Sequence, residues 1–329
     1  MAITGETADL SVIQSRRVAV IGDYLGQGHA QALSLRDCGV DVRVGLPGTR
    51  ARETAAAGDA GLPVLEPAKA AAEVDVVVLL AADDTLRRHF AADIAPNLAD
   101  GDAVLFRSPV PVRLATVAVP AGVDVGLVSP LGPGELVRRQ FVDGKGVPCL
   151  VAVEADVSGT AWPLVLAYAR AIGATRAGVV ETTFAELARA TLFGEQAVRL
   201  GGVPALVRAA FDVLTEAGCD PRLAYAACLH ELHDAVDLMY RRGPSALVDS
   251  APDAAAYGGL TRGRRIVGEA VRDELRGVLG EVTDGSFAAE WAAEDEAGRP
   301  NLERLAEQQR RHGIEEAGRQ LRDRMPWLG

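Results

Sequence analysis

Short runs of β-branched residues alternate with helical patterns through the first half of this chain, and the alternation stops near residue 180. Apolar runs separated by amphipathic segments predict buried strands covered by helices. This pattern is typical of a parallel sheet. The predicted strands lie at 18–21, 40–44, 74–80, 103–106, 123–128, 147–153 and 175–180. We therefore predict an α/β region with a Rossmann-like, doubly wound parallel sheet.

The second half shows helical patterns only, and Thr182 or Thr183 is suited to cap the first helix. The predicted helices lie at 184–200, 204–217, 221–242, 261–279, 286–297 and 301–325. A chain of 329 residues with 49% hydrophobic content is long enough for two cores. We predict a nucleotide-binding domain at residues 1–182 and an all-α domain at residues 183–329.

Composition narrows the class of partner. The 34 basic and 45 acidic residues give a net charge of −11, which argues against a general nucleic-acid or anionic-membrane surface. The four cysteines lack the spacing of a metal site. No segment reaches the roughly 18 apolar residues of a membrane span, and the N-terminus lacks a targeting pattern. We predict a cytoplasmic protein that acts on a small molecule.

A glycine-rich turn joins the first predicted strand to a helix, in the context where backbone N–H groups bind a pyrophosphate. Asp23-Tyr24-Leu25 separates the first two glycines, so the standard G-x-G-x-x-G spacing is absent and a carboxylate lies near the expected phosphates. The candidate cofactor-binding residues of this turn are Gly22, Tyr24, Leu25, Gly26, Gln27 and Gly28. The alternative is a turn that only begins a helix.

The loop after the second predicted strand is where such domains choose between a ribose hydroxyl and a 2′-phosphate. No acidic residue ends that strand, and Thr49, Arg50 and Arg52 suit a phosphate through charge-assisted hydrogen bonds. We predict NADPH, with NADH as the alternative, and we add Asp83 to the cofactor-binding candidates. A solvated loop is the structural explanation for the two arginines.

Two strings on helical pattern carry a resemblance to a known family. They are Phe193-Gly194-Glu195-Gln196 and Cys228-Leu229-His230-Glu231-Leu232, and together with Glu181-Thr182-Thr183-Phe184 they resemble the ketol-acid reductoisomerase family. The resemblance runs over nearly the whole chain. It implies a nucleotide-binding domain followed by a helical, knotted domain that packs against its twin in a homodimer.

In that family, two Mg²⁺ ions are held by four carboxylates, arranged as i,i+4 pairs on two helices. The corresponding pairs here are Thr191/Glu195 and Ala227/Glu231, so each pair has lost one acid. A dinuclear site needs several anionic oxygens to offset two dications. We therefore predict no dinuclear Mg²⁺ site, with one weakly bound ion as the alternative.

Other chemical groups of the family are also replaced. Its active-site histidine falls at Ser108, its lysine at Leu131 and a substrate-contacting serine at Pro252. Hydride transfer needs an oriented nicotinamide, a polarised acceptor and a proton donor in reach. The candidate catalytic residues are Glu231, Glu195, His230, Tyr257 and Ser108. Each has a structural alternative: acids paired with arginines, a packed histidine, a structural tyrosine and a turn serine.

The resulting hypothesis is a homodimeric NAD(P)H-dependent reductase of specialised metabolism. It reduces a C=N, C=O or activated C=C bond and does not carry out metal-dependent alkyl migration on acetolactate. Two alternatives stay open. The altered turn favours a metal-independent isomerase, cyclase or lyase, and the number of missing groups favours a non-catalytic partner of a true reductoisomerase.

Overall fold

A computed structural model describes residues 2–3, 8–80, 86–87 and 89–328 of the chain. The chain divides into two compact units, Met1–Ala190 and Thr191–Gly329, which we call the sheet unit and the helical unit. The division falls within the first helix after the last strand. A domain boundary near residue 182 stays a prediction.

The sheet unit is organised around one mixed sheet. Its described strands are β1 (Ala2–Ile3), β2 (Arg17–Ile21), β3 (Asp41–Gly45), β4 (Val64–Leu65), β5 (Val76–Leu79), β6 (Ala103–Phe106), β7 (Asp124–Pro130), β8 (Cys149–Ala155) and β9 (Val179–Glu181). They follow the order β1-β9-β8-β7-β6-β5-β2-β3-β4. The predicted doubly wound parallel arrangement is confirmed from β4 to β7.

The other edge of the sheet departs from the parallel arrangement. Strand β8 runs antiparallel to β7, and β1 runs antiparallel to β9. Strand direction depends on the connections between strands, which an apolar run does not encode. The sheet is therefore Rossmann-like and mixed.

Helices cover both faces of this sheet. They are α1 (Ser11–Gln14), α2 (His29–Asp37), α3 (Ala51–Asp59), α4 (Pro67–Ala72), α5 (Val110–Arg113), α6 (Gly134–Val142) and α7 (Ala161–Ala171). Along β2, Val18 and Val20 lie in one buried cluster, whereas Ala19 and Ile21 lie in the other. Successive residues of a strand point to opposite faces, so burial of both faces explains the continuous apolar runs.

The helical unit is built from helices and short π-helical turns in its described residues. The helices from the division onward are α8 (Phe184–Phe193), α9 (Gly202–Glu216), α10 (Pro221–Tyr225), α11 (Leu232–Arg242), α12 (Ser245–Ser250), α13 (Asp253–Ile266), α14 (Glu269–Asp284), α15 (Ser286–Glu296), α16 (Pro300–Arg310) and α17 (Gly313–Arg322). The prediction of an all-α region is confirmed, and the predicted knot stays a prediction.

Two predicted helices of this unit are wrong because each is divided. The predicted helix 261–279 breaks at Val267-Gly268, where Gly268 takes an extended backbone ahead of α14. The predicted helix 301–325 breaks at His312, whose Nδ1 accepts a hydrogen bond from the backbone N–H of Ile314 at 3.3 Å. At both breaks, the residue that precedes the new helix, Gly268 or His312, has an extended backbone conformation.

Across the part of the chain that the structure describes, no helix combines the length and the apolar character needed to span a bilayer.

Candidate cofactor site and catalytic residues

A cavity of about 710 Å³ opens where β2, β3, β5 and β6 end. Strand β2 is followed by β3 on one side and is paired with β5 on the other, so the strand order reverses at this point. Open α/β sheets bind ligands in the crevice at such a reversal. The polar lining residues are Asp23, Thr49, Arg50, Glu53, His89 and Arg107. The cavity therefore lies at the expected place for a nucleotide.

The glycine-rich turn after β2 is tightly wound. Gly22 and Asp23 both take a left-handed backbone, with φ of 85° and 36°. A Cβ at Gly28 would lie 3.0 Å from the carbonyl oxygen of Asp23 and 3.1 Å from that of Gly22. The N–H of Gly28 donates to the same Asp23 carbonyl at 3.0 Å. Glycine at this position lets the helix begin directly against the turn.

The carboxylate of Asp23 folds back over this turn. It accepts a hydrogen bond from the backbone N–H of Gln27 at 3.4 Å. Its Oδ2 lies 2.5 Å from the point that a Cβ on Gly26 would occupy. An acidic group therefore lies at the start of the helix, on the wall of the cavity.

Tyr24 and Gln27 have buried side chains. The hydroxyl of Tyr24 lies 3.1 Å from Nδ1 of His29, and burial lowers the pKa of His29. Nε2 of Gln27 donates to the carbonyl of Gly132 at 2.7 Å. These contacts anchor the turn to the protein interior, whereas Leu25 is half-exposed.

A buried hydrogen-bonded chain extends from Gln27. Nε2 of Gln31 donates to Oε1 of Gln27 at 3.0 Å, and the hydroxyl of Tyr168 donates to Oε1 of Gln31 at 2.6 Å. Buried polar groups that satisfy one another fix a unique arrangement. These hydrogen bonds therefore hold the turn in a fixed position against the helix that follows it.

The loop after β3 brings two of its three candidates to the cavity. Thr49 and Arg50 line it, whereas Arg52 is exposed and lies outside the lining. Nη1 of Arg50 forms an ion pair with Oε1 of Glu53 at 2.6 Å. Arg50 therefore lines the cavity while its guanidinium is ion-paired with the Glu53 carboxylate. The candidate Asp83 lies outside the described residues.

Sequence reasoning missed two basic side chains of this cavity. Arg107 follows the last residue of β6, and His89 lies beside the cavity with its Nδ1 2.9 Å from Oδ2 of Asp93. A signal for Arg107 was present, because residues just beyond the carboxyl ends of parallel strands face the ligand crevice. The signal for His89 was weak, since helical pattern alone does not show which residue faces a cavity.

Three of the candidate catalytic residues lie in or beside π-helical turns of the helical unit. Glu195 lies in the π-helical turn Gly194–Arg199 and forms an ion pair with Arg199 at 2.7 Å. His230 ends the π-helical turn Ala226–His230 and Glu231 follows it, with both side chains exposed. Insertions of this type recur at functional sites. Helical pattern in the sequence does not indicate either of these two turns.

Tyr257 and Ser108 occupy different surroundings. The Tyr257 side chain on α13 is 67% exposed. The half-buried Ser108 accepts a hydrogen bond from the backbone N–H of Val110 at 3.3 Å, which suits a turn serine. Among the described residues of the helical unit, the four catalytic candidates Glu195, His230, Glu231 and Tyr257 form no hydrogen bond or ion pair with one another. Their catalytic roles stay predictions.

Among the described residues, side chains that could bind a metal ion do not cluster either. In residues 2–3, 8–80, 86–87 and 89–328, no group of three or more His, Cys, Asp and Glu side chains is arranged to hold a metal ion. The positions that would complete two acidic pairs carry Thr191 and Ala227.

The mixed sheet, the glycine-rich turn and the cavity at the reversal of strand order define a Rossmann-type nucleotide-binding protein. Two family profiles match the chain: "Acetohydroxy acid isomeroreductase, NADPH-binding domain" at residues 12–178, and "Ketol-acid reductoisomerase, C-terminal domain" at residues 184–327. The chain belongs to the ketol-acid reductoisomerase family, and it is an enzyme of the oxidoreductase class. The predicted family membership is confirmed.

Individual relatives agree with the profiles. The chain is 54% identical to a ketol-acid reductoisomerase (NADP(+)) of Saccharopolyspora erythraea over 97% of its length and 96% of the relative. It is 49% identical to the enzyme of the same name from Mycobacterium bovis, over 98% of the chain and 96% of the relative. It is similar in structure to an NADH-preferring ketol-acid reductoisomerase from an uncultured archean, with a TM-score of 0.86, 35% identity and 98% coverage of both chains.

Proposed function

We propose that this protein is an NADPH-dependent reductase that reduces a C=N, C=O or activated C=C bond without metal-dependent alkyl migration. The observation that carries the proposal is the state of the two acidic pairs. Each retains one carboxylate, because Thr191 and Ala227 stand at the other positions. Reduction by a nicotinamide needs no metal when the acceptor is polarised by a nearby proton donor.

The residues of the cavity fit a dinucleotide. Backbone N–H groups at the turn suit the pyrophosphate, and Thr49 and Arg50 suit a 2′-phosphate. Leu46, Pro47 and Ile94 add apolar walls of the kind that cover an adenine. Bound NADPH would supply the hydride, and the protein residues would bind, orient and protonate. This fit and the NADP(+) in the relatives' names favour NADPH, with NADH as the alternative.

The donor set does not fit two Mg²⁺ ions. Hard dications need several anionic oxygens, and Glu195 and Glu231 supply two carboxylates where the resemblance calls for four. One oxygen of Glu195 is also 2.7 Å from the guanidinium of Arg199. We therefore assign no step of the reaction to paired Mg²⁺ ions.

The proton donor is assigned from the acids that remain. Glu231 is the first candidate because its carboxylate is exposed and, within the described residues, forms no hydrogen bond or ion pair. Glu195, His230 and Tyr257 follow in that order, and Ser108 is a contact for the reacting group. After the acid form of Glu231 gives its proton to an imine nitrogen, the resulting carboxylate would stabilise the positive charge of the iminium ion, which hydride transfer then neutralises.

The assembly we propose is a homodimer formed through the helical unit. A groove of about 460 Å³ runs along α11 and the π-helical turn before it. Its lining residues are Leu229, Leu232, His233, Val236, Asp237 and Tyr240. Tyr240 is 87% exposed. An apolar strip of this kind on a helix is typical of a helix-packing interface.

Kinetics with and without chelator test the proposed reaction. We expect oxidation of NADPH with a panel of 2-oxo acids and cyclic imines, at a rate unchanged by EDTA, and no consumption of acetolactate in Mg²⁺. Glu231→Gln should lower kcat by about 100-fold, within the range for a lost general acid. Glu216→Gln, which neutralises another exposed acid, is the matched control. Mg²⁺-dependent conversion of acetolactate would refute the proposal.

One observation favours a second candidate, a metal-independent isomerase, cyclase or lyase. The Asp23 carboxylate lies over the turn where a pyrophosphate is expected. Turnover of a substrate without any change in nicotinamide absorbance would support this candidate over the reductase.

A further inference from the structure

We propose that the carboxylate of Asp23 is an internal competitor of the cofactor's pyrophosphate and thereby sets the affinity of this protein for NADPH. The inference rests on the proposed function, because it takes the cavity as the dinucleotide site. The sequence places the Asp23 carboxylate near the expected phosphates, and the structure adds where it lies in the turn. The consequence is a cofactor affinity that a single substitution can raise.

The position of the carboxylate carries the inference. It accepts from the N–H of Gln27, at the start of the helix that the turn opens. Its Oδ2 lies 2.5 Å from the point that a Cβ on Gly26 would occupy, so it fills the space that this glycine leaves open. Asp23 also lines the 710 Å³ cavity. A ligand phosphate approaching this N–H meets the carboxylate first.

The charges around the cavity do not offset this carboxylate. Arg50 is paired with Glu53 at 2.6 Å, and the ring of His89 with Asp93 at 2.9 Å. In the described part of the lining, Arg107 is the cation that has no acidic partner. A dianionic pyrophosphate would therefore meet one unpaired cation and one unpaired anion.

The contact that holds Asp23 is weak enough to yield. Its length of 3.4 Å is beyond the usual 2.7–3.2 Å range for N–H···O bonds. The backbone of Asp23, at φ 36°, suits asparagine and glycine as well as aspartate. The charge can therefore be removed by substitution while the turn keeps its shape.

Calorimetric titration of NADPH into the full-length protein and three variants tests the proposal. Asp23→Asn removes the charge, Asp23→Gly removes the side chain, and Asp143→Asn neutralises an exposed acid that is not part of the cavity lining. We expect the first two to bind NADPH at least about tenfold more tightly, equivalent to about 1.4 kcal/mol, and the control to bind as the wild type does. Circular dichroism verifies that each variant is folded.

A second probe locates the effect. Adenosine 2′-monophosphate carries the 2′-phosphate but no pyrophosphate, so its affinity should be the same for the wild type and both Asp23 variants. An equal gain for this probe would show a general change in charge and would overturn the proposal. Unchanged or weaker binding of NADPH to Asp23→Asn and Asp23→Gly would overturn it as well, while leaving the proposed function in place.

The remaining outcomes separate the two proposals. NADPH binding by the Asp23 variants but not by the wild type would support the competitor and overturn NADPH as the native cofactor. No NADPH binding by any of the four proteins would overturn the proposed function, and the inference with it.

Discussion

The sheet unit and the helical unit bury their apolar residues to very different extents. Residues from both faces of the sheet form two large clusters, one with Tyr168 and the other with Phe106 and Phe184. The buried cluster of the helical unit comprises Val207, Phe211, Ala224, Tyr225, Ile314 and Ala317. Helices α11 and α13 to α16, all fully described, contain no buried residue. The first unit is built around its own core, and the second has little core of its own.

The helical unit also carries several strongly exposed apolar side chains. In the helical unit, Val213 and Leu223 are each 65% exposed and Tyr240 is 87% exposed. Apolar surface on a helix is stabilising only when another surface covers it. We infer that the sheet unit buries most of its apolar residues within itself, whereas the helical unit leaves apolar surface that the proposed homodimer would cover.

Ion pairs add little to the stability of the helical unit. Many pairs of the helical unit join residues three or four apart on one exposed helix, such as Arg241–Asp237 and Arg276–Asp273. Exposed pairs of this kind contribute about 0–1 kcal/mol each. Stability of the helical unit therefore depends on apolar contacts that the single chain only partly provides.

The largest predicted effect compares two buried phenylalanines. Phe106→Ala should destabilise the sheet unit by about 5 kcal/mol and Phe211→Ala the helical unit by about 3 kcal/mol, the two ends of the usual range. Phe106 packs edge-on against Phe184 within a large cluster, where a cavity cannot collapse, whereas Phe211 lies in a small one. Peptide-resolved hydrogen exchange measures the opening free energy of each unit.

Val142→Ala is the control for this comparison, because Val142 is 65% exposed and should tolerate truncation with little change in free energy. A larger loss at Phe211 than at Phe106 would reverse the contrast between the units. It would mean that the small helical cluster is the better packed of the two.

The sequence predicts the sheet unit more accurately than the helical unit, for the same physical reason. A strand buried on both faces must be apolar throughout, so the run at 103–106 gives β6 with its bounds. A helix with no buried face leaves a weak pattern, and the predicted helix 261–279 therefore merged two helices. Strand order and direction could not be read, since they depend on contacts distant in sequence.

The candidate site was predicted in part. The position of the turn and an acid near the phosphates follow from residues 22–28, but the folding of Asp23 over Gly26 depends on backbone angles that spacing does not give. The cavity cation Arg107 was missed because its role depends on which strand ends lie side by side. Local signals locate a site, and tertiary contacts decide its lining.

The next prediction tests whether the helical unit needs a partner surface. Tyr240→Asp places a charge in the apolar groove of α11 and should raise the dissociation constant of the proposed homodimer at least about 30-fold, equivalent to about 2 kcal/mol. Light scattering over a dilution series measures it. Because Tyr240 is 87% exposed, the substitution removes little packing within the chain itself.

Val142→Asp makes the same kind of change on the sheet unit and should leave the assembly intact. A wild type that is monomeric at micromolar concentration, or a Tyr240→Asp variant that assembles like the wild type, would show that α11 is not the interface. The thin core of the helical unit would then need another explanation.

The smallest predicted effect asks whether burial or charge dominates the sheet unit. Asp75 accepts hydrogen bonds from the backbone and side chain of Arg17 at 2.8 Å, and the Arg17 guanidinium lowers the pKa of Asp75. Asp75→Asn should therefore reduce the free energy of unfolding by about 1 kcal/mol at neutral pH. A depressed folded-state pKa stabilises above the unfolded value, so the difference between wild type and variant should shrink below about pH 4. Urea unfolding at several pH values measures it, and a loss as large as that of Phe106→Ala would contradict the view that apolar burial holds this unit together.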